Sequence, residues 1–71
     1  MDDQVREILE RLKGELTDLG LPPGEVQQNL EGTCVDAVRA VLGLQPGEAF
    51  PEGNIYGAIH QGVRGIMDNE L

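Results

Sequence analysis

The sequence predicts an all-α protein: a compact bundle of three to four short helices that associates as a homodimer. Three observations carry this expectation. Apolar residues recur at helical spacing in the first and last parts of the chain. One helix-stop signature occurs twice between them. And 71 residues enclose so thin a core that a domain of this size usually needs a staple, while the usual staples are missing.

The first helix is expected from Asp3 to Leu19. Val5, Leu9, Leu12, Leu16 and Leu19 are spaced four, three, four and three apart, a heptad seam that Ile8 widens. Asp2 or Asp3 suits the positive end of the helix dipole and can cap it. Glu7 with Arg11, and Arg11 with Glu15, stand at ion-pair spacing. Gly14 is the weak point, worth roughly 1 kcal/mol against alanine. The seam is shorter than the three to four heptads that argue for a coiled coil, so it reads as the core face of a bundle.

Leu19-Gly20-Leu21-Pro22-Pro23-Gly24-Glu25 recurs as Leu42-Gly43-Leu44-Gln45-Pro46-Gly47-Glu48, with six of seven positions identical. A duplicated unit is one explanation, but the flanks do not align and a single spacing of 23 supports no repeat family. Shared stop chemistry is the other. The first glycine takes the left-handed position after the helix, the next leucine folds back, and proline prevents continuation.

Between the copies, Glu25–Leu30 is expected as a short helix. Thr33 then caps a third segment, with Asp36 three residues on as the acidic half of a capping box. From Cys34 to Leu42 apolar residues cover most of the circumference, which places this segment at the centre of the fold. Gln45–Gly53 reads as a loop with one helical turn. Asn54 caps the last helix, Ile55 to about Asn69, whose stripe is Ile55, Ile59, Val63 and Ile66, with Tyr56 and Met67 beside it. Gly57, Gly62 and Gly65 interrupt that helix. Ala58, Gly62 and Gly65 form a smooth strip that would let a second backbone approach, either this chain's own or another's.

Composition narrows function mainly by exclusion. The chain is one domain, residues 1–71. Cys34 is the only cysteine, so no intrachain disulfide exists, and Cys34 with the single histidine, His60, is too small a set for structural zinc. Thirteen acids and five bases give a net charge of −8. The bases Arg6, Arg11, Lys13, Arg39 and Arg64 are scattered, so direct nucleic-acid binding and attraction to anionic membranes are not expected. No apolar run approaches the roughly 20 residues of a membrane span. The acidic Met1-Asp2-Asp3 start is unlike a signal peptide, and one free cysteine suits a reducing compartment, so a cytoplasmic location is expected.

The chain has no serine, which removes serine-nucleophile chemistry. Its length, acidity and helix count resemble those of acyl carrier proteins, but the serine that carries the prosthetic arm in that family is absent, and Thr33-Cys34 stands in the equivalent place. With no tryptophan, one tyrosine (Tyr56) and one phenylalanine (Phe50), there is no aromatic stacking platform.

Two side chains invite a chemical reading. Cys34, in the first turn of a capped helix, would be stabilised as a thiolate by the dipole. Helical spacing also places it with Val38 and Val41, where a free cysteine behaves as a small hydrophobe. His60 could act as a base, alone or paired with Cys34, or sit as a boundary histidine with a hydrogen-bond partner. The structural reading is preferred for both: no catalytic, cofactor or metal residue is expected, and no enzyme. The expected function is a small acidic protein–protein interaction module, a regulator, adaptor or accessory subunit. Its surface would comprise Leu9, Leu12, Leu16, Ile59, Gly62 and Ile66, rimmed by acids that steer a basic partner. The partner is another protein or a second copy of the chain. The alternatives are an acidic nucleic-acid mimic that blocks a basic groove, and a thiol-based redox or nucleophilic protein built on Cys34.

Overall fold

In a computed structural model that describes residues 3–68, three helices follow one another, α1 (Asp3–Asp18), α2 (Pro23–Val41) and α3 (Asn54–Asp68). Each packs against both others. There is no strand among the described residues.

The joint between α1 and α2 follows from backbone chemistry. Gly20 adopts φ 86°. Its N–H bonds the Thr17 carbonyl at 3.0 Å, and the Leu21 N–H reaches back to the Leu16 carbonyl at 3.3 Å. These are the paired bonds of a Schellman turn, which satisfy carbonyls that the helix end would leave bare. Gly43 (φ 72°) repeats the arrangement, with Gly43 N–H to Ala40 O at 3.1 Å and Leu44 N–H to Arg39 O at 2.9 Å. The repeated heptapeptide is therefore a repeated stop. Both turns fold the second leucine inward: Leu21 and Leu44 pack against the core. Leu19 before Gly20, and Val41 and Leu42 before Gly43, point outward. Leu19 is 77% exposed and Val41 68%, so Leu19 leaves the expected seam and the end of α2 is not central.

The two copies diverge after the stop. In each, the glutamate N–H bonds the carbonyl three residues back, Glu25 to Pro22 and Glu48 to Gln45, both at 3.0 Å. Pro23 then stands at the start of α2, where its missing N–H costs nothing. In the second copy Gly47 turns left-handed (φ 80°) and Pro51 follows, so no helix grows.

α2 corrects the expectation of two helices with a capped break at Thr33. It runs unbroken through Gly32. Val26, Leu30 and Cys34 are four apart, and only a continuous helix keeps all three on one face. Each is at most 1% exposed. Burying one such side chain is worth about 1.5–3 kcal/mol, which outweighs the roughly 1 kcal/mol that a helical glycine costs. Thr33 and Asp36 consequently form no capping box; they lie inside the helix.

α3 buries Ile59, Val63 and Ile66 and half-buries Ile55, the stripe expected of it. It begins at Asn54 itself, and Asn69 and Asp2 lie outside the described residues. From α1, Val5 and Leu9 are buried, Leu12 and Leu16 partly so, and Ile8 is 53% exposed. Lys13 fastens α1 to the end of α3: its Nζ donates to the carbonyls of Ile66 (3.0 Å) and Met67 (3.4 Å). A cation there complements the negative end of the α3 dipole. Of the spaced pairs on α1, the structure forms Arg6–Glu10 at 3.2 Å rather than those of Arg11; all are exposed pairs of small value.

The remaining core residue comes from the 42–53 connection. Phe50 is 8% exposed. Arg39 holds it: the guanidinium lies 5.2 Å from the Phe50 ring centroid, Nε donates to the Glu48 carbonyl at 2.8 Å, and Nη2 donates to Tyr56 Oη at 3.4 Å. Tyr56 meets Phe50 edge-on, with centroids 4.8 Å apart. The connection covers Arg39, whose side chain is only 16% exposed.

Glycine substitutions separate the two backbone roles. A Cβ at Gly14 or Gly20 meets nothing, so only conformation decides. Gly14→Ala is expected to stabilise by up to about 1 kcal/mol and Gly20→Ala to destabilise by about 1 kcal/mol. For a domain of this size each shifts the melting midpoint by roughly 4–8 °C, in opposite directions. Thermal unfolding by circular dichroism checks this; a Gly20→Ala chain that melts with the parent would show that the left-handed turn is dispensable.

Candidate functional site

The residues expected to form an exposed surface are mostly interior. Leu9 is 0% exposed, Ile66 4% and Ile59 6%, and Leu12 and Leu16 pack against the same core. Leu9, Ile59 and Ile66 therefore belong to the inner faces of α1 and α3, and of the three Ile59 also borders the groove between α2 and α3. The cause is ordinary: the strongest apolar stripes are consumed by the chain's own packing.

Gly62 is different. With Ala58 it forms one wall of an open apolar groove between α2 and α3, lined by Cys34, Val38, Ile55, Ala58, Ile59 and Gly62, with a volume of about 210 Å³. The small residues of α3 leave the groove unfilled. Val41, one turn beyond Val38 at the end of α2, and Leu42, the residue that caps the helix, are exposed apolar side chains, at 68% and 47%. The sequence pointed to the Ala58/Gly62 wall but not to Val38 and Val41, which were assigned to a buried centre. Gly57 and Gly65 face open space, so nothing within the chain demands a glycine at either position.

The charged side chains and the histidine of α3 and of the second half of α2 fall into three contacts. Glu31 of α2 pairs with His60 of α3. Asp36 and Arg39 approach to 3.8 Å, and Arg64 and Asp68 to 3.9 Å. From Leu30 to Val41 and from Asn54 to Asp68, every charged side chain belongs to one of these pairs. The acids without an ion-pair partner among the described residues lie elsewhere, at Asp3, Glu7, Glu15 and Asp18 on α1, at Glu25, and at Glu48 and Glu52 in the connection. The acidic rim expected around the docking surface is thus not at the groove. Nor do the acids form a single row; they are spread over the three helices and the connection.

Cys34 and His60 occupy different environments. Cys34 lies mid-helix, 1% exposed, far from the N-terminus of α2, so the dipole argument for a thiolate does not apply. Burial pushes its thiol above the ordinary value. His60 is half exposed, with Nδ1 on the Glu31 carboxylate. That partner replaces the carbonyl or water expected for a boundary histidine, and it occupies the ring nitrogen facing α2. No group of three or more histidine, cysteine or carboxylate side chains among the described residues is arranged to hold a metal ion. Among the described residues no helix is long and apolar enough to cross a membrane.

A second concavity, about 270 Å³, is lined by Asp36, Arg39, Ala40, Leu44 and Pro46. Its one cation is already committed to Glu48, Tyr56 and the Phe50 ring.

No protein-family model, curated protein or solved structure matches this chain.

Cys34 is expected to react slowly with a thiol reagent at neutral pH in native buffer. Its rate should rise with denaturant toward that of a free thiol, because exposure requires opening of the α2–α3 contact. Stopped-flow labelling measures this, and native-state labelling at the free-thiol rate would place the sulfur at the surface.

Proposed function

We propose that this chain is a small acidic protein–protein interaction module, with no catalytic activity of its own, that binds through the α2–α3 groove. The observation that carries the reading is the groove itself: an open apolar trough between α2 and α3, with exposed apolar side chains at Val41 and Leu42 where α2 ends. Exposed apolar surface of this kind, bordered by polar residues, is characteristic of binding sites. A backbone or an apolar side chain can enter because Ala58 and Gly62 present almost no bulk. The buried, poorly ionised Cys34 speaks against the thiol reading, and the dispersed acids speak against nucleic-acid mimicry. The surplus negative charge on α1 serves solubility.

In-cell photocrosslinking tests this. A photoreactive residue replacing Ala58 is expected to give a discrete protein adduct, either a dimer of the chain or a complex with another protein. The same residue at Glu7, exposed on α1, gives none. Absence of any discrete adduct from position 58 in a folded chain would defeat the reading.

A further inference from the structure

We infer that the 45–53 stretch of the connection is a latched strap: it swings off the helices as a unit while α1, α2 and α3 stay packed, and the Arg39 guanidinium is its latch. This is independent of what the α2–α3 groove binds. Three observations carry it.

The first is how little of the strap is buried. From Gln45 to Gly53 every residue is exposed except Phe50. Leu44, just before the strap, stays with α2 through the bond from its N–H to the Arg39 carbonyl. One aromatic side chain therefore supplies the buried surface that anchors the whole stretch. Segments with so few buried contacts open locally, at a free energy well below that of global unfolding.

The second is where the hydrogen bonds go. Among the described residues, those of the strap run within it, to the first turn of α3 directly after it, or to Arg39. Glu48 N–H donates to the Gln45 carbonyl at 3.0 Å, Gln45 N–H to Glu48 Oε1 at 3.0 Å, and Ile55 N–H to the Glu52 carbonyl at 3.2 Å. All three join near neighbours and survive displacement of the strap. The bond that ties the stretch back to α2 is Arg39 Nε to the Glu48 carbonyl, 2.8 Å. The same guanidinium lies 5.2 Å from the Phe50 ring centroid and donates through Nη2 to Tyr56 Oη at 3.4 Å. One planar cation thus holds the strap's backbone, its buried ring and the start of α3 together.

The third is the space beside it. The concavity of about 270 Å³ is lined by Asp36, Arg39 and Ala40 of α2 and by Leu44 and Pro46 of the connection. Strap and helix are therefore not closely packed along this side, and few dispersion contacts are lost when they part. At the other end Gly53 stands directly before α3, and a Cβ there would meet nothing, so the chain can pivot. The surface that opening uncovers pairs an aromatic ring with a free cation, in a chain of net charge −8.

The test uses the single phenylalanine. Biosynthetic replacement by 4-fluorophenylalanine puts one fluorine in the strap, and fluorine saturation-transfer NMR reads the fraction of chains in which that ring is exposed. The rate at which a thiol reagent labels Cys34 reads opening of the α2–α3 contact in the same samples. Arg39→Met keeps an unbranched stem and removes the cation. It is expected to raise the exposed fraction about ten-fold, the order set by losing a charged hydrogen bond and a cation–π contact. Cys34 labelling and helical circular dichroism stay as in the parent. Arg39→Lys keeps the charge without the fork and is expected to raise the fraction by less. Arg64→Met removes an exposed cation from α3 and is expected to change neither readout. An exposed fraction that ignores Arg39→Met, that rises only in step with Cys34 labelling, or that rises equally with Arg64→Met overturns the inference. If Arg39→Met loses its helices, Arg39→Lys decides: a higher exposed fraction at unchanged Cys34 labelling supports the latch, and no rise, or a joint rise, overturns it.

Discussion

The fold depends on a single line of side chains, Val26, Leu30 and Cys34, along one edge of α2. All three are essentially without solvent contact, and α1 and α3 both pack on the helix that carries them. Because the core has nine buried residues among those described, one slip in this line would expose a large share of it. That constraint explains why α2 stays helical through Gly32, against local preference. It also sets the chemistry of Cys34. The sulfur is buried because a small apolar group is needed at that position in the line, and burial is what suppresses its ionisation.

Around this line the chain uses polar groups to hold elements together. Lys13 caps the carboxyl end of α3 from α1. Arg39 spends its guanidinium on the 42–53 connection and so brings Phe50 into the core. His60 and Glu31 join α3 to α2. A 71-residue chain with one cysteine, and with no cluster of metal-ligating side chains among the described residues, has few other ways to fasten long-range contacts. The same scarcity leaves the α2–α3 groove open: the large apolar side chains are used up at the three-helix centre, and the flank of α3 is left with alanine and glycine.

Much of this was legible in the sequence, and the legible parts share a cause. Helical periodicity identified the faces of α1 and α3, because side-chain direction follows residue number within one helix. Both Schellman turns were legible because a left-handed residue followed by an inward leucine and a proline is a local signature. Where tertiary contacts compete with local preference, the reading failed. Gly32 and Thr33 look like a break and a cap, yet the packing of α1 and α3 on α2 overrides them. Phe50 looks like one loop residue among prolines and glycines, and only Arg39, eleven positions earlier, draws it inward. Of the six residues expected at a surface, only Ile59 and Gly62 line the groove, since the sequence cannot tell an apolar face that meets its own chain from one that meets another.

The sequence by itself determined that the chain is helical, where α1 and α2 end, which faces of α1 and α3 are apolar, and that neither a disulfide nor serine chemistry is available. These follow from local stereochemistry and composition, which need no knowledge of neighbours. Only the tertiary structure decided that α2 is one helix, that Cys34 is interior, and that Lys13 and Arg39 act as fasteners. It alone paired the charges of α2 and α3 and left Val41 and the groove wall of Val38, Ala58 and Gly62 uncovered. Each of these depends on which segments meet across long stretches of chain, and that is set by the total burial the three helices achieve together.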